Sequence, residues 1–147
     1  MNKFTGDDIV KEARTWLYTP FYHTGRKKGR DRNNGDGVDC CGLIICVLRE
    51  VMGFTYDKRD YSRVMPNGVM RAEVETWCDR VEGDLWKPGD VMLFSIAGAE
   101  QHIGFYTGNE KMLHSYQTAN AVSEHDITPQ WRKRIVDVFR VRGISTC

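Results

Sequence analysis

Gly37-Val38-Asp39-Cys40-Cys41-Gly42-Leu43-Ile44-Ile45-Cys46-Val47-Leu48-Arg49-Glu50-Val51-Met52 reads as a loop turning into a helix with a cysteine at the turn. Apolar residues at 43, 44, 47, 48 and 51 form the stripe of a helix buried along one face. Gly35 and Gly37 mark the loop before it, Asp39 is the expected N-cap and Gly53 the expected C-cap. Cys40 then sits in the first turn, where unsatisfied N–H groups and the positive end of the helix dipole favour thiolate over thiol. The same N–H groups can hold an oxyanion. A cysteine on a buried helix usually packs as a small hydrophobe, the role expected of Cys46. A base standing opposite Cys40 would separate the two readings.

Two histidines offer that base. His102-Ile103-Gly104-Phe105-Tyr106-Thr107 alternates like a strand, Gly108-Asn109 turns, and Lys111-Met112-Leu113-His114-Ser115-Tyr116 returns, a hairpin pattern. His102 and His114 are twelve positions apart on paired strands, so cross-strand pairing can bring both to one face. A thiolate nucleophile needs a base to take and return its proton, and the base needs a third group to fix its ring. Cys40 is read as nucleophile, His102 as general acid/base and His114 as its orienter, with the Cys40 N–H in the oxyanion hole. His23 and His125 are weaker candidates: His23 lies in a loop after Pro20, and His125, between Glu124 and Asp126, is expected at the surface.

The rest of the chain places these residues. Ile9, Val10, Ala13, Trp16 and Leu17 predict an amphipathic helix over 5–18, capped by Thr5 or Asp7 and ended before Pro20. The loop from Gly25 to Val38 is polar and expected to be mobile. A third helix is predicted over 69–78, after an irregular stretch anchored by Tyr56, Tyr61 and Met65. Trp86-Lys87-Pro88-Gly89-Asp90 is a turn before the strand Val91-Met92-Leu93-Phe94, and 121–125 and 135–141 are two further strands. Helices come first and strands follow, an α+β layout of N-terminal helices packed on a C-terminal antiparallel sheet.

At 147 residues the chain is expected to be a single domain over 1–147, large enough to bury one good core. The net charge of +1 provides no field to select nucleic acid or a membrane surface, and Arg26–Arg32 and Arg132–Arg134 read as solvated basic clusters. Met-Asn-Lys-Phe-Thr-Gly-Asp-Asp at the start lacks the apolar run of a signal peptide and no segment is long enough to span a membrane, so cytoplasmic synthesis is expected. The five cysteines, at 40, 41, 46, 78 and 147, lack a disulfide scaffold's spacing, and there is no Cys-x-x-Cys pair; reduced thiols without a metal or other cofactor are expected.

Asp39-Cys40-Cys41-Gly42-Leu43, Pro88-Gly89-Asp90-Val91, His102-Ile103-Gly104-Phe105-Tyr106 and His114-Ser115 together resemble the NlpC-type cysteine peptidases of bacterial cell-wall turnover, over nearly the whole chain. The resemblance implies a reduced papain-like fold and hydrolysis of amide bonds in peptidoglycan stem peptides, typically between D-glutamate and diaminopimelate, by a Cys-His-His triad. Thr19-Pro20-Phe21-Tyr22-His23 and the tail from Val122-Ser123-Glu124 through Trp131-Arg132 to Phe139-Arg140 are similar to the branch encoded in phage tail clusters and gene-transfer agents. That branch implies partners at the tail hub or tip, a place in the virion and action at the host wall.

Cys41 stands where the family usually has serine. Phe21 stands where many members have a tyrosine that helps the oxyanion, a part Tyr22 could take over. Asp39 is expected, by the same resemblance, to contact a substrate ammonium. The long basic loop is open to reading as a docking surface, a cell-wall polymer contact or a lid. Two alternatives stay open: a structural tail protein that keeps the fold with little hydrolase activity, and a cysteine amidase or acyltransferase acting on another acyl group.

Overall fold

The computed structural model describes residues 4–145; Cys147 lies outside them. The chain runs β1 (Phe4–Thr5), α1 (Gly6–Arg14), β2 (Arg26–Lys27), a 3-10 turn (Arg32–Asn34), β3 (Gly37–Val38), α2 (Cys40–Met52) and α3 (Val69–Glu75). It continues through β4 (Cys78–Arg80), β5 (Val91–Ile96), β6 (Ala99–Gly108), β7 (Lys111–Tyr116), β8 (Ala121–Asp126), α4 (Pro129–Arg134), β9 (Ile135–Val141) and β10 (Ile144–Ser145). Six strands form one antiparallel sheet in the order β4-β9-β5-β6-β7-β8. The fold is α+β, as the order of helices and strands predicted.

The period of two sorts each central strand between two layers. Val91, Leu93, Ile103, Phe105, Leu113, Val122 and Phe139 point to one face and pack with Ile9 and Ala13 of α1 and Leu43, Ile44, Val47 and Leu48 of α2. Met92, Phe94, Tyr106, Met112 and Val138 point to the other, where Trp131 of α4 packs on them. Burial of each large aliphatic side chain contributes about 1.5–3 kcal/mol, so the first layer is what holds α2 against the sheet.

Helix ends follow the sequence where local chemistry decides and depart from it where a distant strand competes. Thr5 caps α1 in a reciprocal box with Asp8, and Asp39 and Gly53 cap α2 as expected. α1 stops at Arg14, before the predicted 18, because Tyr18 and Thr19 exchange backbone hydrogen bonds with Val122 of β8 instead of continuing the helix. α3 stops at Glu75 because residues from Cys78 pair with β9. There the Arg142 guanidinium accepts the helix-end task, donating to the carbonyls of Glu75, Thr76 and Cys78. The segment around 128–131, read only as a separator between strands, forms α4 with Thr128 as N-cap and Pro129 in its first turn.

The Gly25–Val38 loop is fastened rather than free. β2 and β3 close it as a two-stranded ladder, and the Arg26 side chain, 3% exposed, is buried against Asp39, Asp57 and Tyr61. The reading of 26–32 as a wholly solvated cluster is corrected at Arg26: its partners come from the segment after α2, which brings carboxylates to it. The Pro88-Gly89-Asp90 turn also has a structural explanation. Asp90 accepts the Lys87 N–H at 2.8 Å and holds Arg140 of β9 through two bonds of 2.9 Å.

Candidate active site

Asp39 sets the geometry of the helix head that carries Cys40. Its Oδ1 accepts the Gly42 N–H at 2.8 Å and an Arg26 N–H at 3.3 Å, and its Oδ2 accepts the Thr24 N–H at 2.7 Å and the Tyr61 hydroxyl at 2.6 Å. Four donors occupy the roughly four lone-pair sites of a carboxylate, and Arg26 balances its charge. An ammonium bound there would have to displace one of them, so the side chain acts here as a cap and a tether. The cap consumes the Gly42 N–H and leaves the N–H of Cys40, at the first helical position, without an intrahelical acceptor.

The Cys40 thiol is held well below its ordinary range, at about 5. The Cys41 thiol, which donates a hydrogen bond to it, is the main cause; burial opposes, and the hydrogen bond and charge of His102 lower it further. Cys41 moves the other way, up, because its hydrogen bond to the Cys40 sulfur needs the proton in place and because it is buried. Cys40, Cys41, His102, Asp39, Phe21 and Tyr116 line a cleft of about 400 Å³. Cys41 also lines an adjoining, mostly apolar cavity of about 250 Å³ with Ile44, Met65, Met70 and Trp77. Cys46 is buried and Cys78 likewise, with burial raising both thiols.

Behind His102 the sheet supplies a row of rings. The β6–β7 register, Phe105 opposite Leu113 and Tyr106 opposite Met112, puts His102 and His114 on one face as the spacing predicted. His102 Nε2 lies 2.7 Å from His114 Nδ1. Gly104 makes this possible: a Cβ there would come 2.9 Å from the Cβ of His114. Burial first, then the neighbouring His102 and His125, hold the His114 imidazole down at about 2, so it stays neutral. Trp131 and Tyr116 close over it with ring centroids at 4.9 and 5.5 Å.

His125 is not the surface residue its acidic neighbours imply. It is half-buried, and its Nε2 lies 2.8 Å from His114 Nε2. The expected oxyanion aids fare differently. Phe21 lines the cleft but carries no hydroxyl, whereas Tyr22 is 51% exposed and stands outside the lining, its Cβ against Gly25 and Gly37. His23 lines the cleft, with its Nδ1 3.9 Å from Asp39 Oδ2. Tyr61 and Arg26, which hold Asp39, were not singled out from the sequence for this role; their partners are remote in the chain.

The neutral state of His114 has a consequence for stability. Its folded value of about 2 lies below the roughly 6.5 of an unfolded histidine, so protons favour the unfolded chain. The stabilisation is complete above pH 6.5 and is lost as the pH falls from there towards 2, at up to about 1.4 kcal/mol per pH unit. Asp57, Glu73 and Glu124 are held below their ordinary values and titrate lower down. Urea midpoints at pH 7, 6 and 5 should therefore fall steadily for the native protein and much less for His114→Gln; equal slopes would contradict a buried neutral His114.

Comparison with known proteins agrees with this geometry. The profile of the NlpC/P60 family matches residues 19–140, which include Cys40, His102, His114 and His125. The chain belongs to the NlpC/P60 family. Murein DD-endopeptidase MepS/Murein LD-carboxypeptidase of Escherichia coli K12 is 26% identical over 110 residues, 74% of this chain and 52% of the relative. The chain thus spans about half the length of the curated relatives it matches. Among solved structures, the NlpC/p60 domain of peptidoglycan hydrolase SagA superposes with a TM-score of 0.66 at 21% identity, covering 93% of this chain and 99% of that one. Peptidoglycan hydrolase RipB of Mycobacterium tuberculosis gives 0.63 at 20% identity, covering 95% and 65%. These NlpC/P60 neighbours share the papain-like fold with this chain.

Proposed function

We propose that this NlpC/P60 protein is a cysteine peptidase that hydrolyses amide bonds in peptidoglycan stem peptides, with Cys40, His102 and His114 as its triad. The observation that carries the reading is geometric: Cys40, at the head of α2, and His102 line one cleft, and His102 Nε2 lies 2.7 Å from His114 Nδ1. The Cys40 thiol is also held below its ordinary range. The Cys40 sulfur attacks the scissile carbonyl carbon, and the Cys40 N–H receives the developing oxyanion. His102 then gives its proton to the leaving amine as the C–N bond breaks, leaving a thioester. Water attacks the thioester while His102 takes one of its protons, and the carboxylate product and the thiolate are released. His114 orients the His102 ring throughout.

The rim of the cleft suits a peptide with carboxylates. Arg63, Gln101 and Gln117 line it, offering one cation and side-chain amide N–H donors, while the Ser62 hydroxyl beside them donates to the Val64 carbonyl at 2.6 Å. Resemblance favours the D-glutamyl–diaminopimelate bond, while the MepS relative is named for DD-endopeptidase and LD-carboxypeptidase activities. The finer reading is delivery on a phage tail tip, with tail hub or tip proteins as partners and the host wall as the place of action. It rests on the similarity of Thr19–His23 and the 122–140 segment to the tail-encoded branch.

Digestion of diaminopimelate-type peptidoglycan and its soluble, cross-linked and uncross-linked peptides, followed by mass spectrometry, tests both levels. The expected products are peptides cut after D-glutamate. Cleavage only at the D,D cross-link would keep the hydrolase and move the bond to that of the MepS name. No product from folded native protein would overturn the proposal in favour of a structural tail protein or an enzyme for another acyl group.

A further inference from the structure

Beyond the three residues of the proposed triad, a fourth group completes the row. His125 Nδ1 lies 2.8 Å from the backbone carbonyl oxygen of Asp126, its Nε2 lies 2.8 Å from His114 Nε2, and His114 Nδ1 lies 2.7 Å from His102 Nε2. β8 delivers it: Met112 pairs with His125 and His114 with Ser123, so alternation sets His125 on the face that carries His114. Trp131 of α4 lies over the row, its ring centroid 5.7, 4.9 and 6.1 Å from those of His102, His114 and His125.

The polarity of such a row is fixed by its end. A carbonyl oxygen can only accept, so the proton of a neutral His125 is on Nδ1 and its Nε2 is bare. A bare Nε2 accepts, so His114 carries its proton on Nε2 and presents a bare Nδ1. His102 must then carry a proton on Nε2, which occupies that nitrogen with His114 and leaves its Nδ1 as the bare nitrogen able to serve Cys40 as a base. With the opposite polarity, His114 would donate from Nδ1, His102 would have its neutral proton on Nδ1, and the nitrogen meant for the thiol would be a donor. A neutral His114 between two other histidines has no charge with which to impose the choice itself.

We propose that His125, anchored on the Asp126 carbonyl, is a positioning residue that sets the tautomers of His114 and His102 and so keeps His102 ready to accept the Cys40 proton. This rests on the peptidase reading for its kinetic consequence but not for its structural one. His125 touches neither substrate nor the thiol; it acts through two rings.

The test uses the full-length protein labelled with 15N at histidine. Long-range 1H–15N correlation spectra at pH 8 report which ring nitrogen bears the proton, with Cys40→Ala as background so that no thiolate stands opposite His102. The expected result is an Nε2 proton on both His114 and His102, lost or mixed in His125→Phe and retained in His125→Gln, whose amide oxygen can accept near the place of Nε2. With Cys40 restored, His125→Phe should lose roughly tenfold to a hundredfold in kcat with KM little changed, a part of the ~10²–10⁴ a positioned base supplies, and His125→Gln should recover most of it. An Nδ1 proton on His114 in the native background overturns the proposal. So do spectra and kcat that His125→Phe leaves unmoved. If the native protein cleaves no peptidoglycan peptide, the peptidase reading fails, and the spectra alone decide the tautomer relay.

Discussion

Cys40→Ala should abolish hydrolysis of stem peptides, while Cys41→Ser keeps most of it and Cys41→Ala keeps activity with a changed pH dependence. The two adjacent thiols are chemically alike but are placed for different tasks. Cys40 is lowered to about 5 by the Cys41 thiol and His102, whereas Cys41 is raised by its bond to Cys40 and by burial. Only the first is a thiolate at neutral pH. Cys41 is therefore a donor in a position where a serine hydroxyl would serve, and serine should substitute for it. Removing the donor with alanine takes away the largest interaction that lowers Cys40. Since one pH unit is 1.36 kcal/mol and a hydrogen bond to a charged group is worth about 1.5–3 kcal/mol, with a thiol donor at the weak end, the Cys40 midpoint should rise by about one unit. The measurement is the rate of iodoacetamide alkylation against pH, with the site of modification read by mass spectrometry. Native protein should be alkylated at Cys40 at a nearly constant rate from pH 6 to 8, and Cys41→Ala should show its midpoint displaced upward. Activity that survives in Cys40→Ala and vanishes in Cys41→Ala would give the nucleophile's role to Cys41.

Much of this site was legible in the sequence because its parts are local. Asp39 and Gly53 bracket α2 by capping chemistry that acts within a few residues, and the alternation around Gly108-Asn109 fixed which face His102 and His114 share. What was missed is non-local. Arg26 reads as one of a run of basic residues, and only folding brings Asp57 and Tyr61, 31 and 35 positions on, to its guanidinium. β2 and β3 are two residues each and leave no periodicity to detect. His125 was misplaced for an instructive reason. Glu124 and Asp126 flank it in sequence, but on a strand they point to the opposite face, where Glu124 pairs with Arg14 at 2.9 Å. Their charge therefore describes the other side of the sheet, and the neighbours that matter are Met112 and His114 on β7.

Asp39→Ala should be the most destabilising single change in the site, and the loss should be larger than a helix cap alone explains. Removing an N-cap side chain costs about 0.5–2 kcal/mol. Here the same carboxylate is only 5% exposed and also partners Arg26, itself 3% exposed. Breaking a buried ion pair by deleting one partner costs about 3–5 kcal/mol, because the other charge stays buried. Arg26 retains Asp57 at 3.0 Å and the Lys58 carbonyl at 2.9 Å, which places the total near the lower end of that range. The Thr24 N–H and Tyr61 hydroxyl lose their acceptor as well. At about 2–4 °C per kcal/mol for a chain of this size, the melting temperature should fall by roughly 6–15 °C. Asp39→Asn separates the parts, since its amide oxygen can still cap Gly42 while the charge facing Arg26 is gone; it should fall between the two. The double change Arg26→Leu with Asp39→Asn should then be less destabilising than the sum of its parts, as removal of both charges leaves neither one stranded. A loss for Asp39→Ala no greater than about 1 kcal/mol, or simple additivity in that cycle, would mean that Arg26 and Asp39 are not coupled and that α2 is held by its apolar face alone. With coupling as expected, the helix head that presents Cys40 is pinned from two sides. The sheet grips its apolar stripe, and a buried charge cluster contributed by the basic loop and the segment after α2 fixes its first turn.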